Sequence, residues 1–368
     1  MKQEEKIIKY KKDIEYVKKN STYTWIKGFL MDLKRSANNQ SKQQGIGINL
    51  GFSLMGFGIN FQKLPKKEFI ESYKNAAKRL IFLNYEGTLQ LEHEDPDKNV
   101  PDQRIIKILS NLTSDSKNSV YIVSGQTKDK LYSWFSKIKN LNLAAEQGFF
   151  YTTNPNPINA RSSDEDYGYD DIEVKKDIIW KELFHIVDWS WKERVSQILE
   201  AFTEKTEGSK IINKEAILKW DYLNCDLYFG NMQAYEISTH INNIFENSKI
   251  YINHARDYLE IKPKNLSKSN FISHILREEF NKTTDPDFIF ALGEDDSDED
   301  MFKYLSSVKN LLLMFNDNMN MYPCTIGHKP SKATYFLNEI PEVLEYLESL
   351  NKPIVRFINE LFLNIGKI

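Results

Sequence analysis

The stretch Arg79-Leu80-Ile81-Phe82-Leu83-Asn84-Tyr85-Glu86-Gly87-Thr88-Leu89 decides the fold. The apolar run from Leu80 to Leu83 reads as a short strand, and the polar, glycine-bearing residues after it read as a turn. Upstream, Phe69, Ile70, Tyr73, Ala76 and Ala77 fall at helical spacing across 68–79, so the local order is helix, strand, turn. Further apolar runs at 119–123, 142–145, 288–292 and 311–315 read as strands, with helical periodicity near 105–112 and 131–138 between them. This alternation predicts an α/β fold: a parallel sheet with helices on both faces.

The middle of the chain, 151–256, has another character. A polar stretch precedes a Trp-rich helix, two strand-like runs (209–213 and 216–222) and a further helix. The pattern predicts a smaller α+β insertion over a discontinuous core, because strand and helix alternation resumes after Tyr258. The expected organisation is a core over 51–150 and 257–350, a cap over 151–256 and a helix over 351–368. At the N-terminus, 1–50 reads as a helical segment and tether. There Trp25, Ile26, Phe29, Leu30 and Leu33 share one helical face within 23–35, and the polar, periodless 38–47 reads as a flexible connection.

Composition narrows the function classes. A length of 368 residues suits roughly two domains. The 49 basic and 52 acidic residues are interspersed, so no block points to electrostatic binding of nucleic acid or a membrane. Cys225 and Cys324 have no metal-ligand spacing and suit a reducing compartment. With neither a signal peptide nor a membrane-length apolar run, a soluble cytoplasmic protein is expected.

In open parallel sheets ligands sit beyond the carboxyl ends of the strands, and three of the predicted strands end in suggestive chemistry. Asn84 to Thr88 follow the first, Ser124-Gly125 follow the second, and Gly293 to Asp300 (GEDDSDED) follow the 288–292 run. Lys268 precedes a helix beginning near Ser269. In the acidic turn Glu294, Asp295 and Asp298 are the candidates to hold a hard cation such as Mg²⁺; a solvated acidic helix start is the alternative. Ser124 and Gly125 offer a hydroxyl and a backbone N–H to a phosphate, with Lys268 supplying positive charge. Taken singly, each is also an ordinary turn residue or a solvated lysine.

These elements, in this order, resemble the four motifs of haloacid dehalogenase phosphatases, and in particular the trehalose-6-phosphate phosphatase family. The run from Arg79 to Leu89 is similar to R-x-I-L-L-D-Y-D-G-T-L, and Ala145-Glu146-Gln147-Gly148 to A-E-H-G. Tyr258-Leu259-Glu260-Ile261-Lys262-Pro263 with Ser267-Lys268 is similar to V-E-V-K-P followed by G-V-S-K-G. Gly293 to Phe302 resembles G-D-D-R-S-D-E-D-M-F, and Trp220 to Asp226 resembles W-H-Y-R-x-A-D. The resemblance covers about 79–347. Upstream, 23–34 and 51–78 look like the tail and linker that join a trehalose-phosphate synthase domain to its phosphatase domain.

The resemblance implies a haloacid dehalogenase-like Rossmannoid core with an inserted α+β cap. It further implies Mg²⁺ as cofactor, trehalose 6-phosphate or a related sugar phosphate as ligand, and synthase subunits as candidate partners. Phosphate is implied to be held by Ser124, Gly125 and Lys268, and the sugar or cap side by Glu146, Lys214, Glu260 and Lys262. The reaction centre departs from the family. Where intact members carry the nucleophilic Asp and the general-acid Asp, this chain has Asn84 and Glu86. Glu294 replaces the first metal-site Asp, Asp221 stands where His is usual, and Leu223 where Arg is usual. A neutral amide lacks the carboxylate oxygen needed for an aspartyl-phosphate. Three readings follow: a pseudophosphatase with a regulatory or ligand-binding role, a slow Mg²⁺-dependent phosphatase, and a non-catalytic portion of a synthase/phosphatase complex.

Overall fold

The computed structural model describes residues 61–350 apart from 92–98, 154–178, 186–188, 246–249, 256, 283 and 316–318, together with positions 14 and 26. The helix expected over 23–35, except its helical position 26, lies outside these residues, as do the tether at 38–47 and the helix at 351–368. The chain divides into one unit of Met1–Phe61 with Lys329–Ser331 and another of Gln62–His328 with Lys332–Ile368. Both sheets belong to the second.

That unit begins β1 (Gln62–Lys63), α1 (Lys66–Asn75), β2 (Arg79–Asn84), α2 (Gln103–Ser114), β3 (Asn118–Val123), α3 (Lys128–Phe135) and β4 (Leu141–Ala145). A single 3₁₀ turn (Glu146–Gly148) leads to β5 (Phe150–Tyr151) and β6 (Lys181–Glu182). Next come α4 (Ser190–Thr203), β7 (Lys210–Asn213), β8 (Leu218–Asp221), α5 (Leu227–Ile244), β9 (Ile250–His254) and β10 (Tyr258–Pro263). The unit closes with α6 (Lys268–Phe280), β11 (Phe288–Gly293), α7 (Asp296–Phe315), β12 (Asn320–Ile326), β13 (Tyr335–Leu337) and α8 (Ile340–Leu350).

The larger sheet has the order β1-β13-β12-β11-β2-β3-β4-β5-β6. It is parallel from β1 to β4 and antiparallel at β5 and β6. The buried run of β2 is explained by its two covered faces. Ile81 and Leu83 pack in one cluster with α1, α2, α3 and α8, whereas Leu80 and Phe82 pack in another with α6 and α7. Phe69 of α1 anchors the first layer, with its ring 4.9 Å from Phe290 and 5.1 Å from Tyr322, both edge-on. Such pairs contribute about 0.5–1.5 kcal/mol each beyond buried area.

The strand order positions the site. From β2 the chain moves outward through β3 and β4, and later through β11, β12 and β13 on the opposite side. Connections therefore diverge at β2, opening a crevice beyond the carboxyl ends of β2, β3 and β11.

The smaller sheet, β7-β8-β10-β9, is antiparallel throughout. Leu218, Trp220, Leu259 and Ile261 pack against α4 and α5, and the two-residue period turns Glu260 and Lys262 to the other face. The chain leaves this sheet only after Pro263, beyond the boundary expected at 257.

One strand expectation fails. Residues 311–315 end helix α7, and the neighbouring strand is β12. Leu, Met and Phe in a short unbroken run carry no period that separates strand from helix, and Leu and Met are good helix formers. Among the described residues no helix is long and apolar enough to cross a membrane.

Candidate active site

Asn84, the last residue of β2, is 3% exposed and directs both amide protons into the protein. Its Nδ2 donates to the Glu86 carbonyl at 3.1 Å and to Asp298 Oδ2 at 3.0 Å, and its Oδ1 accepts the Tyr85 N–H at 2.9 Å. No charged oxygen is presented here.

Asp298, in the first turn of α7, is fully buried and is the hub of the crevice. Besides the Asn84 amide, its Oδ2 accepts the N–H groups of Glu294 (2.9 Å) and Asp295 (3.1 Å), while its Oδ1 lies 2.8 Å from Lys268 Nζ. Such a close approach requires glycine at 293, where a Cβ would sit 2.1 Å from Asp298 Cγ. Burial, then the charge of Asp295, pushes the Asp298 carboxyl up, against the pull of Lys268.

Lys268 opens α6 behind the N-cap Ser267 and is 1% exposed. Burial lowers its affinity for a proton, but Asp295 and Asp298 more than offset this, so it remains a cation. Asp295, with a half-exposed side chain, lies 3.4 Å from the ammonium. Partial desolvation draws its pKa upward, yet Lys268 and the Ser297 and Asp298 donors hold it at about 2. Glu294 is placed beside Gly87, whose φ of +70° carries the turn after β2; a Cβ there would come within 3.0 Å of Glu294 Oε2.

Ser124 follows β3 and is fully buried. Its hydroxyl accepts the Gln126 N–H at 2.9 Å and donates to the Glu86 carboxylate, whose oxygens are 2.9 and 3.1 Å away. The Gly125 carbonyl accepts Lys214 Nζ at 2.8 Å.

A second charged group lies between the sheets. Glu146, fully buried after β4, accepts the N–H groups of Glu215 (3.0 Å) and Ala216 (2.7 Å) from the β7–β8 turn. Desolvation raises its pKa, opposed by those two donors and by Lys214. Lys214 in turn is pushed down by burial, with Glu260, Glu146 and Glu86 opposing. Glu260 and Lys262 form a pair at 2.9 Å. Gln147 joins them, donating to both Glu260 oxygens (3.1 and 3.0 Å) and accepting from Lys262 at 2.5 Å. The structure thus brings Asn84, Glu86, Ser124, Lys268, Glu294, Asp295 and Asp298 to one crevice, and Glu146, Lys214, Glu260 and Lys262 to the adjoining charged group.

Gln147 and Lys192 were not singled out from sequence. Gln147 falls within the segment similar to A-E-H-G, which could have pointed to it, and adopts φ +61°, an uncommon non-glycine conformation. Lys192 of α4 reaches the carbonyls of Lys214 and Glu215, a contact made only when the smaller sheet is assembled. A cleft of about 600 Å³ lies away from this crevice, at the amino ends of the strands, lined by Glu68, Glu71 and Asp287 among others.

The donor set does not fit Mg²⁺ in this arrangement. Hard cations need converging oxygen ligands, but Asp298 faces an amide N–H, two backbone N–H groups and an ammonium. Among the described residues no three acidic, His or Cys side chains are grouped to hold a metal. Asn84 and Lys268 together satisfy the buried carboxylate that a cation would otherwise neutralise.

Comparison with known proteins agrees with this architecture. The trehalose-phosphatase family model matches residues 82–341. An α,α-trehalose-phosphate synthase (UDP-forming) of Arabidopsis thaliana is 32% identical over 94% of the chain and 38% of its own length. A trehalose-phosphatase of Zygosaccharomyces rouxii is 29% identical over 77% of the chain and 32% of its own length. The C-terminal domain of C. albicans trehalose-6-phosphate phosphatase superposes with a TM-score of 0.65 at 29% identity, covering 79% of this chain and 97% of that one. The chain spans well under half the length of these two curated relatives. Its strand order, its four motif segments at the carboxyl edge and the extent of the family match together place this chain in the trehalose-phosphatase family, with a haloacid dehalogenase-like fold.

Proposed function

We propose that this chain is a pseudophosphatase of trehalose metabolism: it binds trehalose 6-phosphate or a related sugar phosphate without hydrolysing it, in a regulatory role in the cytoplasm. The observation that carries the reading is Asn84. Phosphoryl transfer through an aspartyl-phosphate needs a carboxylate oxygen free to attack phosphorus. Here the position is a neutral amide whose two protons bind Glu86 and Asp298. Glu86, at the general-acid position, has its carboxylate on Ser124. Support for ligand binding comes from Ser124 and Lys268, hydrogen-bonded to Glu86 and Asp298 respectively, and from the adjoining Glu260–Lys262 pair and Glu146.

The test is phosphate release from trehalose 6-phosphate measured alongside calorimetric binding, with Asn84→Asp as comparator and mass spectrometry to exclude deamidation of Asn84. Heat of binding without phosphate release by the native chain is the expected result. Release at rates abolished by Asp298→Asn would overturn the reading in favour of a slow phosphatase.

The relatives' greater length supports a second reading, in which the domain serves as a non-catalytic portion of a synthase-containing assembly. Its measurement is the mass of the protein in its native cells, free or bound to synthase.

A further inference from the structure

The anion-binding side chains of the crevice are already satisfied, and one of their partners is conspicuous. Ser124 is completely buried, and its hydroxyl has one proton to give. That proton goes to Glu86, both of whose carboxylate oxygens lie within 3.1 Å. Glu86 also lies within electrostatic reach of Lys268 and Lys214. A two-oxygen anion on the Ser124 hydroxyl, near two ammonium groups, has the chemistry of a bound phosphoryl group.

The geometry of the turn makes this contact durable. The Glu86 carbonyl is held by Asn84 Nδ2, its backbone bridges to Gln90, and Gly87 turns the chain at φ +70°. The side chain therefore springs from a fixed point. Relative to Asp, Glu adds one methylene and about 1.5 Å of reach, and that extra bond places the carboxylate on Ser124.

We propose that the Glu86 carboxylate is an internal surrogate for a phosphoryl group, which keeps anions off Ser124 until a ligand displaces it. The inference rests on reading the crevice as a ligand site. An incoming phosphate must break the Ser124–Glu86 bonds and settle beside Asp295 and Asp298, where Lys268 is already shared. Free phosphate consequently binds weakly. A sugar phosphate must offset the displacement through the adjoining group of Gln147, Glu260 and Lys262.

The test is calorimetric titration of the full chain with inorganic phosphate, comparing wild type, Glu86→Gln, Glu86→Ala and the double variant Glu86→Ala/Ser124→Ala. Removing a charge-assisted competitor should tighten phosphate binding about tenfold or more in Glu86→Ala. Glu86→Gln, neutral and nearly isosteric, should fall between that variant and wild type, and it carries the test if the alanine variant fails to fold. The double variant should lose the gain, because the hydroxyl is gone. Equal affinity in wild type and Glu86→Ala, a gain that survives Ser124→Ala, or no phosphate binding by any variant would each overturn the proposal. Phosphate release by wild type would defeat the pseudophosphatase reading alone, since the order of affinities among the Glu86 variants is measured without turnover.

Discussion

Substituting Asn84 by Asp places a carboxylate at the end of β2, as the resemblance to the family motif would have it, and its cost follows from the contacts of Asn84. Nδ2 of Asn84 is 3.0 Å from Asp298 Oδ2 in a buried crevice. Replacing the donor by a carboxylate turns this contact into an encounter of two negative charges, worth about 5 kcal/mol of repulsion at an effective dielectric of about 20. Loss of the hydrogen bond adds about 1–2 kcal/mol. Lys268, 2.8 Å from the other Asp298 oxygen, offsets part of both, leaving a net destabilisation of about 2–5 kcal/mol. For a domain of this size that lowers Tm by about 3–9 °C. The assay is thermal unfolding in EDTA and in millimolar Mg²⁺. The variant should be destabilised in EDTA and recover with Mg²⁺, which relieves the repulsion, whereas the native chain should respond little. An Asn84→Asp variant as stable as wild type in EDTA, or indifferent to Mg²⁺, would refute the account of Asn84 and Lys268 as the partners that replace a cation.

Two further outcomes follow from the same geometry. The pKa of Glu146 is raised by burial, so the folded state binds its proton more tightly than the unfolded chain does. Its contribution is therefore fully present below the ordinary carboxylate pKa and is lost as pH rises through the raised folded value; Glu146→Gln should flatten the pH dependence of stability in that window, measured by denaturant unfolding at a series of pH values. An unchanged slope would mean that Glu146 is not the titrating group. Gly293→Ala forces a Cβ to within 2.1 Å of Asp298 Cγ, and that carboxylate is held by four donors and cannot swing away. The variant should lose about 2–3 kcal/mol or more in denaturant unfolding; a neutral result would show that the acidic turn is softer than its bonding implies.

Much of the core was legible because its strands are covered on both faces and so appear as unbroken apolar runs. Leu80 to Leu83 and 288–292 differ from their surroundings in composition alone, and each is followed by a polar turn at its carboxyl end. The run at 311–315 looked the same and proved helical, since five apolar residues without a period do not distinguish the two. The alternation Leu259-Glu260-Ile261-Lys262 carries the two-sided character of β10, yet nothing local assigns that strand to the smaller sheet. Its antiparallel partners β8 and β9 decide that.

For the crevice the division has a physical cause. Sequence alone determined which chemical groups are available: an amide at 84 and a carboxylate at 86 are fixed by the residue types. Tertiary structure alone decided what those groups touch. The Asn84–Asp298 bond joins residues 214 positions apart, and the Gln147–Lys262 bond spans 115. Hydrogen bonds act over about 3 Å, so such partnerships exist only once β2, β3 and β11 lie side by side and the smaller sheet closes on the turn after β4. The saturation of Asp298 and the placing of Glu86 on Ser124 are therefore properties of the assembled fold.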